Sequence, residues 1–528
     1  MKFIRITAVL LTFSAFAVSQ TASHIGQTIL VVPFENHSKA PGLEWIGDSF
    51  PEILQERLDS PTLYVLPRED RIRSYDRLGI PVELRPSRAT IYRLAEQLDV
   101  DFVVLGQYQF DGRTFGASAQ LLDMRRQHLL PQAAESGPLT QLIELQTAMA
   151  WDLLRTLNPG TSLSREAYLS QAAPVRLDAF EHYIKGIVAP TPDKQIQHFR
   201  DALRLNPSYP EAQLQLGKAC YRDHQYDQAL SALNSVPEGP LSNEANFYIG
   251  LAAYSRNDYL QSEAAFSRVA ARLPLTEIYN NLGVTANHRD RKTAIEYFQK
   301  AINSDPSDAD YHFNLAIALY RSGDVAGANR NLQDAVSLNP ADAEARSFLN
   351  ALSGGQHGVV PASLKVPAER LQTSYDESSF RQLSLKLAAA AEQRLSKVDS
   401  RAHAQFHTDR GRQLLKQGFM SDAEREFREA VSLDPINADA HAGLASALLE
   451  TGNPSECRAE AEQALKLRQF AEPLLVLAQL DLKDNKIDSA SQEVDRALRL
   501  EPTNTGAQTL KRSVAAKLAQ EGQPLPNP

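Results

Sequence analysis

Residues 309–340 read ADYHFNLAIALYRSGDVAGANRNLQDAVSLNP. Two amphipathic stretches flank Ser322-Gly323-Asp324, and Pro340 cannot continue the second, so the segment is a hairpin of two helices. The same design recurs upstream at a spacing of about 34 residues. Gly217, Gly250, Gly283 and Ala316 occupy one register in the first helices, and Ala229, Ser262, Ala294 and Ala328 one register in the second. Close helix crossing needs such small side chains. Leu233, Phe266, Phe298 and Leu332 fill the second helices, and Pro207, Pro274, Pro306 and Pro340 stop them.

Outward from this hairpin, the pattern resembles the tetratricopeptide repeat (TPR) family. The resemblance implies an α-solenoid whose concave side, lined by the first helices, binds other proteins. A first array is expected over 176–352. Its opening hairpin, Asp178 to Pro207, is divergent because Pro190-Thr191-Pro192 interrupts it. The hairpin from Thr276 has one residue fewer between Gly283 and Ala294, which predicts a tighter turn. Residues 353–370, with Gly354, Gly355, Pro361 and Pro367, read as a linker. Phe380 to Val398 reads as an amphipathic helix with the stripe Phe380, Leu383, Leu387, Ala391 and Leu395. A second array is expected over 371–519, where Gly411, Ala445 and Ala478 pair with Ala423, Cys457 and Ala490, and a disordered tail over 520–528.

Ahead of the repeats, residues 1–19 have a basic start at Lys2 and Arg5, an apolar run from Ile6 to Val18 and small residues at a cleavage position. They read as a signal peptide. With no cysteine near that position, the mature protein is expected to be exported, periplasmic or secreted, and not a lipoprotein. Residues 25–158 read as a mixed-sheet α/β sandwich in the order β, α, β, α, β, β, α. Thr28 to Phe34 suits a strand buried on both faces, Ser49-Phe50-Pro51-Glu52 has capping-box spacing, and Asp111-Gly112 signals a hairpin. Asp48 reads as a helix cap, and Trp45 and Trp151 as core aromatics. The runs LVVPFENHSKAPGLEWIGDSFPEILQERL and DFVVLGQYQFDGRTFGASAQLLD resemble the TolB amino-terminal-like domain. That resemblance implies a protein-contact module of the bacterial envelope. The expected fold is therefore α/β plus all-α: a small mixed-sheet sandwich followed by two TPR solenoid arrays.

Two rows face the expected first groove. One is Leu214, Phe247, Asn280 and Phe313, with Asn314 beside it; the other is Tyr221, Tyr254, Asn287 and Tyr320. Aromatic rings supply contact area, and asparagine can bond a backbone in either sense, so these rows suit an extended peptide. Leu214 and Phe247 replace the lysine of carboxylate-clamp TPRs, so chaperone-tail binding is not implied. In the second array Arg412, Lys416 and His441 flank a leucine row, Leu415, Leu449 and Leu482, which something must cover.

The 528 residues carry 55 Lys plus Arg against 64 Asp plus Glu. This net charge of −9 gives no footprint for nucleic acid. No nucleotide-binding or hydrolase motif is present. Cys220 and Cys457 fall on repeat helices and read as packed thiols. His403 and His407 stand at i, i+4 without an evident third ligand. No enzyme activity, cofactor, metal or membrane span is expected. The function expected is a non-enzymatic exported scaffold that binds envelope proteins; the alternative is a sensory component of an envelope signalling system.

Overall fold

The computed structural model describes residues 26–81, 86–172, 174–353, 365–397, 399–417 and 419–521. The segment read as a signal peptide lies outside them, as does the expected tail beyond residue 521. β1 (Gln27–Val31) comes from the β-branched apolar run and is buried on both sides. Ile29 and Val31 join one core, Leu30 and Val32 the other. Then follow β2 (Glu35–Asn36), α1 (Trp45–Leu58), β3 (Leu63–Val65), α2 (Arg68–Leu78) and α3 (Arg88–Gln97). β4 (Phe102–Phe110), β5 (Phe115–Asp123), β6 (His128–Leu129), β7 (Ala133–Gly137) and α4 (Leu142–Leu157) complete the domain. The sheet runs β3-β1-β4-β5-β6, with β2 also on β4 and β7 also on β5. β1 is parallel to both neighbours, and the β4–β5 hairpin is antiparallel. α1 and α4 cover one face, α2 and α3 the other.

Two local readings need correction. α1 starts at Trp45, so Ser49 is not its cap but lies a turn inside, buried, donating to the Ile46 carbonyl at 2.7 Å and accepting from Gln146 Nε2 at 2.6 Å. Asp48 falls in the first turn, not at the cap. Pro51, inside the helix, has no N–H for the Gly47 carbonyl, which accepts from Phe34 N at 3.0 Å instead and ties the strand to the helix. α2 has no counterpart in the sequence reading, because its buried residues are Asp70, Arg71, Ser74 and Tyr75 and no apolar stripe marks it.

After α5 (Arg165–Ser170) come the hairpins α6 (Leu177–Val188) with α7 (Pro192–Leu205), α8 (Pro210–Arg222) with α9 (Tyr226–Leu233), and α10 (Ser242–Ser255) with α11 (Tyr259–Ala270). α12 (Thr276–Ala286) with α13 (Arg291–Ser304), α14 (Ala309–Ser322) with α15 (Val325–Leu338), and α16 (Ala343–Ser353) finish the first array. The small residues are dictated by packing: a Cβ on Gly250 would stand 2.6 Å from the Phe266 ring, and one on Gly283 2.5 Å from Phe298. Pro192 opens α7, so the Pro190–Pro192 stretch makes the turn of the first hairpin rather than interrupting it. The turns after α8, α10 and α14 carry left-handed His224, Asn257 and Gly323, and the turn after α12 carries no such residue. That turn, residues 287–290, is not the tighter one expected: it is longer than its counterparts at 223–225, 256–258 and 323–324, because α12 ends earlier and the missing residue is lost from the helix. Trp45 stacks edge-on against Phe180 at 6.0 Å, so the sheet domain and the first array share one core.

α17 (Glu377–Leu395) precedes the second array, formed by α18 (Ser400–Gln417), α19 (Met420–Leu433), α20 (Ala438–Thr451), α21 (Pro454–Leu467), α22 (Ala471–Lys483), α23 (Ile487–Leu500) and α24 (Thr505–Glu521). The stripe assigned to α17 is corrected: Leu383 and Leu387 are 56% and 62% exposed, whereas Leu385 is buried in the α2–α3 core of the sheet domain. Arg381 fixes this contact by pairing with Asp59 and lying over the Tyr64 ring at 4.4 Å. The leucine row is covered within its own array, Leu415 and Leu449 in one cluster and Leu482 in the next. Ser162, on the sheet-domain side, hydrogen-bonds Glu424 at 2.5 Å and Thr451 at 2.8 Å in the second array. Both cysteines are free and buried. No described helix is long and apolar enough to cross a membrane.

Candidate functional site

The concave face of the first array is occupied by the chain itself. Residues 365–376, the last third of the expected linker and the start of the expected second array, run as non-helical chain along α14, α12 and α10 toward the sheet domain. Asn314 on α14 accepts from Arg370 N and donates to Arg370 O, each at 2.8 Å. One repeat earlier, Asn281 on α12 does the same for Gln372, again at 2.8 Å in both directions. Both asparagines sit two residues before the small packing residue of their helix, so the repeat itself spaces a pair of amides that read alternate main-chain units of an extended strand. Asn280 adds a bond to Arg370 O at 2.9 Å and accepts from Asn314 Nδ2 at 2.8 Å. All three asparagines are fully buried, and the strap satisfies amides that would otherwise carry a desolvation cost.

Side chains fix the register. The Arg370 guanidinium lies 3.8 Å from the centre of the Phe313 ring and bonds Asp310 at 2.7 Å, Asp342 at 2.6 Å and Glu344 at 3.0 Å. The hydrogen bond from Arg370 holds Asp342 below the usual carboxylate range despite partial burial. Glu369 pairs with Arg321 and accepts from Asn287. Tyr375 tilts against Phe247 at 5.3 Å, and Asp376 N donates to Glu277 at 2.9 Å. Leu371 packs against the same apolar cluster as Tyr254, and Val366 against the same one as Tyr320. Burial, with Glu369 adding, pushes the Tyr254 hydroxyl up to about 12. Where the strap leaves the groove, Ser378 bonds Asp70 of α2, and Lys218 on α8 joins Glu69 at 3.2 Å to Glu244 at 2.6 Å. Sheet domain, groove and strap are thereby tied at one corner, beside a cavity of about 680 Å³ lined by Glu52, Tyr183 and Lys218.

The structure thus gathers Phe247, Tyr254, Asn280, Asn287, Phe313, Asn314 and Tyr320 on one strand of chain. Tyr221 borders it, packed on Tyr226 and Tyr248 at 5.9 and 5.7 Å. Sequence reasoning passed over Asn281, Glu277 and the carboxylates Asp310, Asp342 and Glu344. The equal offset of Asn281 and Asn314 from Gly283 and Ala316 was the available signal. The second-array residues do not assemble comparably. Arg412 pairs with Asp439, Lys416 is exposed, and His441 is buried in its own hairpin, bonded to Glu460 at 2.5 Å and the Pro435 carbonyl at 3.0 Å. Burial lowers its affinity for a proton, but the bond to Glu460 and that to Pro435 raise it further, and the net shift is upward. His312 holds the Pro306 carbonyl in the same way at 3.2 Å, so histidine here buttresses a hairpin and is not a groove residue.

The fold is an α-solenoid joined to a small α/β domain, with a groove that holds extended chain. Profiles described as tetratricopeptide repeat match residues 194–240 and 414–473, and a further one matches 285–343. The helical hairpins form tetratricopeptide-repeat-like solenoid arrays. No curated protein sequence matches the chain. Among solved structures, it is similar to MamA 41-end from Desulfovibrio magneticus RS-1, at 20% identity over 32% of this chain and 99% of that one, with a TM-score of 0.31. YrrB, described as a TPR protein with an unusual peptide-binding site, aligns at 16% identity over 32% of this chain and 91% of its own, with a TM-score of 0.30. A tetratricopeptide repeat protein from Parabacteroides merdae ATCC 43184 aligns at 11% identity over 59% and 100%, with a TM-score of 0.25.

Proposed function

We propose that this protein is a non-enzymatic, exported adaptor of the bacterial cell envelope, in which the first TPR groove takes an extended peptide of a partner in place of residues 365–376. The observation that carries the reading is the strap itself: Asn281 and Asn314 each bond both main-chain groups of a strap residue, a mode any extended chain can satisfy. Arg370 among three carboxylates supplies the selectivity, favouring a partner peptide with a cation at that position. The sheet domain, by its resemblance to the TolB amino-terminal-like domain, docks a second envelope component. Residues 1–19 support export, and mass measurement of the purified protein tests their removal.

A crosslinking pulldown from the envelope tests the adaptor role with two variants of opposite expectation. Arg370→Ala loosens the strap while leaving the groove intact, and is expected to increase capture. Asn281→Ala plus Asn314→Ala removes the main-chain readers and is expected to abolish it. Identical capture by wild type and both variants would remove the groove from the mechanism.

A further inference from the structure

We propose that Glu392, His403 and His407 form a binding site for a divalent cation of the zinc class, joining the end of α17 to the second array. Their ligand atoms all lie within 4.8 Å of one another. The three residues come from the last turn of α17 and the first turns of α18, and they are only 9%, 7% and 2% exposed. The two Nε2 atoms approach to 3.1 Å. Two imidazole nitrogens on one tetrahedral cation would stand about 3.4 Å apart, so the rings need move little to share an ion. His407 Nδ1 is 2.8 Å from Glu426 Oε2, and Glu426 is itself 2% exposed and flanked by Arg410 and Arg425 at 3.6 and 3.9 Å. With that carboxylate accepting the Nδ1 proton, His407 presents a bare Nε2 lone pair toward His403. This is the carboxylate–histidine arrangement that orients metal-bound imidazoles. Two imidazoles and a carboxylate, with a fourth position left to water, suit zinc and its first-row neighbours better than calcium or magnesium.

The i, i+4 histidine pair was legible in the sequence. The third ligand was not, because Glu392 lies on the preceding helix across the turn and meets the pair only when α17 packs onto α18.

The test uses the full chain stripped of metal with chelator and titrated with Co²⁺, then Zn²⁺. The expected result is one equivalent of Co²⁺ giving visible d–d absorption, displaced by Zn²⁺, with an increase in Tm. Glu392→Gln and His403→Gln are each expected to weaken binding at least tenfold, and Glu426→Gln by about 10- to 100-fold. Wild-type protein that binds neither ion would overturn the proposal and leave a shared proton as the reason for the close nitrogens. Undiminished binding in both ligand variants would also overturn it, placing the ion elsewhere among the 12 histidines. If a variant fails to fold by circular dichroism, the wild type decides: Zn²⁺ must protect His403 and His407 from diethyl pyrocarbonate, and equal modification with and without Zn²⁺ contradicts the site.

Discussion

At the scale of single residues, atoms decide what a repeat tolerates. Gly250 faces Phe266, which is fully buried, and an added Cβ would sit 2.6 Å from its ring. Gly250→Val should therefore destabilise the first array by about 1–3 kcal/mol through overpacking. Denaturant unfolding checks this, and an unchanged midpoint would contradict the packing account. Glu52 gives a pH test. Burial, with Glu69 adding, pushes its carboxyl from the ordinary 4.5 up to about 7, against Arg68, Arg71 and the Tyr183 hydroxyl at 3.2 Å. Folding thus favours its protonated form. The stabilisation is complete below about pH 4.5 and is lost as pH rises through about 7. Glu52→Gln, which stays neutral, should raise Tm relative to wild type at pH 8 and leave it nearly unchanged at pH 4. The same difference at both pH values would argue against a shifted Glu52.

At the scale of elements, the strap is held by main-chain bonds and by one arginine. Arg370→Ala removes contacts to Asp310, Asp342 and Glu344 and leaves the buried Asp342 carboxylate without its cation. The expected loosening is about 1–3 kcal/mol. Limited proteolysis should then cut within 365–376 while the helices stay intact, and an unaltered digestion pattern would count against the strap's dependence on Arg370. The helical hairpins were legible because the small-residue register, the large apolar residues and the stopping prolines recur together. β1 was legible from its apolar run. α2 was not, because Arg71 and Asp70 face inward where a periodicity search expects leucine. α17 misled for the opposite reason: Leu383 and Leu387 form an apolar stripe, yet Leu385, one step round the helix, is the residue that meets the sheet domain. Asn280, Asn287 and Asn314 were legible in the sequence as groove residues, whereas Asn281 was not. The peptide they hold was not legible either, because Gly354, Gly355, Pro361 and Pro367 carry the same signals whether a segment is a free tether or an extended strand.

At the scale of the whole molecule, three bodies are joined by chain that also fills the first groove. The sheet domain shares a core with the first array, α17 covers its α2–α3 side, and Ser162 ties it to the second array. Deleting residues 353–398 removes strap and α17 together, baring the groove amides and the site of Leu385. That deletion should give an aggregating or polydisperse protein on size-exclusion chromatography; a monodisperse, cooperatively unfolding product would contradict the role given to the segment. The central claim, that the first groove is filled by its own chain, is tested most directly by hydrogen–deuterium exchange at the Arg370 and Gln372 amides of the wild-type protein. Their bonds to Asn314 and Asn281 predict slow exchange that becomes fast in Asn281→Ala plus Asn314→Ala. Exchange in the wild type at the rate of an unstructured chain would contradict it.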